Sequence, residues 1–225
     1  LNERNPSRSP RPTTLIAVGL VALLAIGAVV LLTQDDDAPV RGLPPGVDET
    51  TEGDGDADGT PAFRFTKATR ELVRTSPGRI KRRQREASER AALAARTILD
   101  DLYTEGFLDP ANREQGLYVD AFRGFAGGAR KQAEARPGLL TAGSRAAERY
   151  ERILPLSGRI DTRILLSRRD KPMLLLSVVR FKAAALGPDP ATLRSKGQFF
   201  FERIDGSWKI VSFHITRTDA PREAT

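Results

Sequence analysis

The sequence predicts an α+β fold: an N-terminal transmembrane helix, then a domain with helices packed on a curved, mainly antiparallel sheet. Three observations predict it. An uncharged apolar run, Thr13–Leu32, stands near the N-terminus. Helical periodicity precedes all β periodicity in the remainder. The C-terminal part alternates apolar and polar residues through several long runs broken by turn residues. Helices first and strands afterwards is the signature of α+β rather than of alternating α/β units.

Residues 1–12 are polar and carry Arg4, Arg8 and Arg11. TTLIAVGLVALLAIGAVVLL follows, and residues 13–33 read as the membrane-spanning helix. A helix of that length rises roughly 30 Å, the thickness of the hydrocarbon core, and satisfies its own backbone there. The preceding arginines and the following Asp35, Asp36 and Asp37 place the N-terminus in the cytoplasm and the rest outside. A cleaved signal peptide would have a shorter apolar run and a small-residue site after it. Here the run continues through Val29–Leu32 into Thr33, Gln34 and aspartates.

Residues 34–75 read as a linker. Pro39, Pro44, Pro45 and the Gly-Asp alternation GDGDADG leave too little apolar surface before about Ala62 to offset ordering entropy. GDGDADG is not an EF-hand loop: counted from Asp54, the position that needs glutamate is Phe65. The net charge of +7 divides unevenly. Residues 1–60 carry 4 Lys/Arg against 10 Asp/Glu, −6, and residues 61–225 carry 32 against 19, +13. A basic domain outside the cytoplasm attracts anionic lipid or envelope polymer, and that topology excludes nucleic acid. The chain has no cysteine, which excludes disulfides, thiolate metal sites and a Cys nucleophile.

The domain spans residues 76–218, with 219–225 as a disordered tail. Ser76-Pro77 is a helix start, and the helix is expected to run to Glu105 with Gly106 as its stop. Ile80, Ala87, Ala91, Ala94, Ile98 and Leu102 mark its apolar face. Arg79, Lys81, Arg82, Arg83 and Arg85 form a solvated face or a contact for phosphate groups. FLDPANREQG reads as a loop, and Leu117–Phe125 and Gly128–Arg136 as short helices; residues 139–154 fit either strand or helix. The β pattern begins at Gly158, turns at Arg169-Asp170-Lys171 and continues as Met173–Ala185. Gly187–Pro190 is a loop. Gly197–Ile204 and Trp208–Arg217 are strands joined by an Asp205-Gly206 hairpin turn.

This order, with the strings LYTEGFLDPAN at 102–112, GARKQAEA at 128–135, VVRFKA at 178–183 and GQFFFERIDGSWKIVSF at 197–213, resembles the NTF2-like (cystatin-like, cone-shaped) superfamily. Within it, the N-terminal anchor and linker resemble the Mce-associated membrane proteins of high-GC Gram-positive bacteria. The resemblance implies a cone whose open end holds a ligand pocket, and relatives that pair through the open sheet face. Some relatives, similar to ketosteroid isomerase, use an acid/base carboxylate beside a Tyr or Asp donor. No catalytic residue carries over.

The residues that would serve such chemistry are Tyr103, Tyr118, Asp120, Asp161, Glu202 and the single histidine, His214. Asp161 alternates with Ile160 and Thr162 and so faces solvent, whereas Glu202 shares its face with Phe200 and Ile204. Phe122, Phe125, Phe181, Phe199, Phe201, Trp208 and Phe213 line a lipid-binding cavity or fill the core. The expected ligand pocket is Tyr103, Tyr118, Phe122, Phe181, Phe199, Phe201, Glu202, Trp208 and His214. No catalytic, cofactor or metal motif is present in the sequence. The expectation is a tethered, extracytoplasmic, non-enzymatic accessory or scaffold protein of the cell envelope. A module for a small apolar ligand and a ketosteroid-isomerase-like enzyme are the alternatives. The expected partners are the membrane, an envelope protein or a second copy.

Overall fold

A computed structural model describes residues 63–74 and 79–222. The expected membrane helix and the residues Ser76 and Pro77 lie outside these residues, but the helix expected to start there begins only at Arg82, since 79–81 are not helical. Among the described residues no helix is long and apolar enough to cross a membrane. The fold is α+β. Five strands form one mixed sheet in sequence order: β1 (Lys67–Arg74), β2 (Arg152–Leu166), β3 (Pro172–Leu186), β4 (Ala191–Ile204) and β5 (Ser207–Pro221). β2 to β5 form an antiparallel meander, and β1 runs parallel to β2 at one edge.

β1 lies inside the segment read as linker. Its sequence, KATRELVR, is charged and has no apolar alternation, so periodicity does not reveal it. Charged side chains suit an exposed edge. Thr69 donates to Asp161, Glu71 pairs with Arg163 at 2.8 Å, and Arg70 reaches Glu89 at 3.1 Å. Exposed pairs of this kind contribute only about 0–1 kcal/mol each. The stronger attachment comes just before the strand, where Phe63 and Phe65 are buried in the core. Both rings sit over Gly158 of β2: a Cβ there would lie 2.6 Å from Phe63 and 2.9 Å from Phe65. Phe63 and Phe65 then meet Phe181 and Tyr103 edge-on at 5.3 Å each, and Tyr103 stacks on Phe107 at 5.4 Å.

Helix α1 (Arg82–Tyr103) covers this inner face of the sheet. It buries Ser88, Ala91, Ala95, Leu99, Leu102 and Tyr103. Ala91 and Leu102 were on the expected stripe; Ala87, Ala94 and Ile98 flank it, only half buried. Gly106 does not stop the helix. The chain continues as a π-helical turn, Thr104–Leu108, closed by Asp109 N–H on the Thr104 carbonyl at 2.9 Å. This turn buries Phe107 and Leu108.

Part of the expected loop FLDPANREQG is helix α2 (Pro110–Gln115). Asp109 caps it by accepting from Ala111 N–H at 2.8 Å, Pro110 opens it, and Gly116 at φ 64° ends it. Of the expected helix Leu117–Phe125 only a 3₁₀ turn, Asp120–Phe122, forms, and Leu117 and Val119 are exposed. Helix α3 (Gly127–Ala135) matches its expectation within a residue and buries Ala129 and Ala133. The ambiguous stretch resolves into a short helix α4 (Ala146–Arg149) followed by the start of β2.

β2 begins at Arg152 rather than Gly158, because a bulge between Pro155 and Ser157 breaks the alternation. β4 begins at Ala191 rather than Gly197; its first inward residues, Ala191, Leu193 and Ser195, are mostly small. The β4–β5 hairpin turns as expected at Asp205 (φ 48°) and Gly206 (φ 83°).

Asp100 of α1 accepts the Phe65 N–H at 2.9 Å. Burial raises its carboxyl above the ordinary range, against the lowering effects of that hydrogen bond and of Arg96. A folded-state pKa above the unfolded value means that stability falls as pH rises through the carboxylate range. Asp100→Asn therefore removes part of the pH slope of stability, read from urea midpoints between pH 4 and pH 7; an unchanged slope refutes this. Phe65→Ala costs about 3–5 kcal/mol and Gly158→Ala about 1–3 kcal/mol in urea unfolding followed by Trp208 fluorescence. A neutral Gly158→Ala would show that the rings do not depend on that space.

Candidate functional site

The structure does not bring the nine expected pocket residues together. Tyr103, Phe181, Phe199 and Phe201 are buried side chains of the inner core, and Phe122 joins them from the 3₁₀ turn. They pack on other rings: Phe181 lies 4.8 Å from Tyr103 and 5.3 Å from Phe107, and Phe122 lies 5.8 Å from Phe125. The Tyr103 hydroxyl pairs with Ser195 Oγ at 2.8 Å, and burial drives its pKa well upward. Tyr118 donates to the Gly143 carbonyl at 2.9 Å, and burial raises its pKa also.

Glu202 and His214 lie on the opposite, outer face and are exposed. Asp120 is exposed too, and Asp161 sits on the outer face as expected, bound to Arg159 at 3.0 Å. Phe200 is only half buried and Ile204 is 37% exposed, so the face that Glu202 shares with them is not a cavity wall. Trp208 borders a separate open groove of about 510 Å³ with Leu93 and Ile98 of α1. Among the described residues no group of three or more His, Asp or Glu side chains can hold a metal ion.

A second groove, of about 590 Å³, has Arg145, Arg149, Arg217 and Asp219 in its wall. Arg217 is committed to structure. It grips Asp219 at 2.7 and 2.9 Å, donates to the Gly138 carbonyl at 2.9 Å and to the Thr141 carbonyl, and lies over the Phe107 ring at 5.7 Å. Four of its five donors are engaged in the fold, and its charge is paired with Asp219, so it is a poor anion site.

The feature that stands out chemically is the outer face of the sheet. Register places Arg159, Arg180 and Lys196 side by side across β2, β3 and β4. In the next row on the same face, Lys182 of β3 lies opposite Arg194 of β4. Five cations thus occupy two adjacent rows, and all are exposed or half exposed. Arg180, Lys182 and Lys196 make no salt bridge among the described residues, whereas Arg159 has Asp161 and Arg194 has an interaction of its own. Like charges directly opposite across strands are destabilising, so this arrangement weakens the sheet that carries it.

Toward the β2–β3 turn the same face becomes apolar. Leu174 lies opposite Leu165, and Leu176 lies opposite Phe200. Leu176 is 6% exposed yet stands outside the inner core, so the outer face has a small apolar patch of its own. The basic rows were not among the expected site residues. Their signal was the i, i+2 pairs Arg180/Lys182 and Arg194/Lys196, which a strand places on one face.

The chain matches no protein-family model, no curated protein and no solved structure.

Neutralising the rows relieves like-charge repulsion. Arg180→Gln/Lys182→Gln/Lys196→Gln raises stability by about 0.2–1 kcal/mol per relieved cross-strand pair in urea unfolding. A loss of stability would mean that these side chains serve the fold instead.

Proposed function

We propose that this is a membrane-tethered, extracytoplasmic accessory or scaffold protein of the cell envelope, non-enzymatic, whose outer sheet face binds an anionic partner. The observation that carries the reading is the pair of cross-strand basic rows, Arg159/Arg180/Lys196 and Lys182/Arg194. Arg180, Lys182 and Lys196 make no salt bridge among the described residues, and charge held so on a sheet, at a cost to stability, suits lipid headgroups or an acidic envelope polymer. The +13 charge of residues 61–225 extends the same preference over the domain.

The tether is the second part of the reading. Residues 13–33 as a membrane anchor, with the acidic Gly/Pro-rich stretch after them as a tether, complete it. The order of a long helix, short helices and an antiparallel meander supports a domain of NTF2-like type. The outer apolar patch supports pairing with a second copy or an envelope protein beside the charged rows.

Alkaline carbonate extraction and external protease treatment test the topology: the full chain stays in the membrane fraction and its C-terminal domain is cut from outside. Release by carbonate, or complete protection, overturns the tethered reading. For the binding face, the detergent-solubilised full chain is retained on a polyanion support and elutes at markedly lower salt as Arg180→Gln/Lys182→Gln/Lys196→Gln. Equal elution of the two proteins sinks the assignment of that face.

A further inference from the structure

The geometry points to a second copy of this chain as the partner of helix α1. Two α1 helices pair antiparallel through their solvent side, with Arg90 of each copy against Asp101 of the other. This goes beyond the anionic partner of the outer sheet face and does not depend on it. Three observations carry it.

The first is the charge along the helix. Arg82, Arg83 and Arg85 stand in the first turn of α1, and Asp100 and Asp101 in its last; the first turn has no acid and the last no base. Both ends oppose the helix macrodipole, at a cost to a lone helix. Antiparallel pairing sets the basic end of each helix beside the acidic end of the other, and the two macrodipoles then run in opposite directions.

The second is a self-complementary seam. Ala87, Arg90, Ala94, Thr97, Asp101 and Thr104 recur at three- and four-residue spacing, continuing one residue into the π-helical turn. They lie on the side turned away from the buried Ala91, Ala95, Leu99 and Leu102, and each is exposed or half-buried. About the midpoint between Ala95 and Arg96 the order is palindromic: Ala94 mirrors Thr97, Arg90 mirrors Asp101, and Ala87 mirrors Thr104. A twofold axis there brings each residue against its mirror in the other copy. The small residues let the helix axes approach to about 8 Å. The side chains of Arg90 and Asp101 make no salt bridge or hydrogen bond among the described residues.

The third is the apolar surface beside the seam. Leu93 is 62% exposed in the middle of the helix. The groove of about 510 Å³ runs along the same side, with Leu93, Ala94, Thr97, Ile98 and Trp208 in its wall. A second helix laid on the seam covers Leu93 and closes this groove. Because α1 covers the inner face of the sheet, pairing through its far side leaves the basic rows of both copies open.

The chain has no cysteine, so single cysteines in the detergent-solubilised full chain report the pairing. Ala94→Cys and Thr97→Cys lie beside the twofold axis and form disulfide-linked dimers under mild oxidation. Glu86→Cys lies far from the midpoint, its two copies about 28 Å apart along an antiparallel pair, and stays unlinked. Equal coupling of all three variants, coupling of Glu86→Cys alone, or no coupling overturns the inference. In the second arm, sedimentation equilibrium of the full chain reads the dimer constant. Arg90→Asp or Asp101→Arg alone sets like charges face to face and weakens the dimer roughly tenfold or more. The combined Arg90→Asp/Asp101→Arg restores it to within about threefold, a recovery that damage to the fold does not give. Single variants as tight as wild type, or a combined variant as weak as the single ones, sink the proposed register.

Discussion

The packing of Phe63 and Phe65 into the space left by Gly158 is the contact on which the rest of the domain depends. It gathers the N-terminal approach, α1, the π-helical turn and strands β2 and β3 around one cluster of rings. Burying an aromatic side chain fully is worth about 1.5–3 kcal/mol, and edge-on ring pairs add to that. The exposed ion pairs of β1 offer much less apiece. The edge strand is thus held from its N-terminal side by apolar burial, and its charged side chains mainly keep the edge soluble.

The two faces of the sheet then have different duties. The inner face is closed by α1 and by rings that rest on each other, with the inward Tyr103 and Ser195 hydroxyls paired. The outer face carries repulsive charge, and among the described residues Arg180, Lys182 and Lys196 make no salt bridge. A fold stabilised by its inner face tolerates this cost. The separation also explains why Glu202 and His214 have no place in a pocket: strand alternation sends them outward while Phe201, Phe213 and Ile215 go inward.

Much of the fold was legible because it follows simple periodicities. The Asp205-Gly206 turn, the long apolar β3 and the extent of α3 came from turn chemistry and apolar spacing. What escaped was held by other physics. β1 has no apolar alternation and depends on residues that precede it. The first half of β2 was hidden by the Pro155 bulge. Helix α2 was legible after all, since Asp109-Pro110 and Gly116 are a cap, a first-turn proline and a left-handed stop. The basic rows required register as well as pattern: the loop Gly187–Pro190 sets Arg180 opposite Lys196, but only if β4 is known to begin at Ala191. The apolar periodicity of Phe199, Phe201, Phe213 and Ile215 gave their burial, and no periodicity distinguishes a filled interior from a hollow one.

The parallel pairing of β1 with β2 has a mechanical consequence. Tension arriving through the chain N-terminal to Phe63 enters the domain at its aromatic plug, one strand away from the row that holds Arg159, Arg180 and Lys196. A load along the strand axis is shared by all the β1–β2 hydrogen bonds at once instead of opening them one by one. The rings over Gly158 must leave the core before β1 can slide. A domain loaded from its N-terminal side is therefore gripped at its aromatic plug, and the antiparallel meander beyond β1 yields after it.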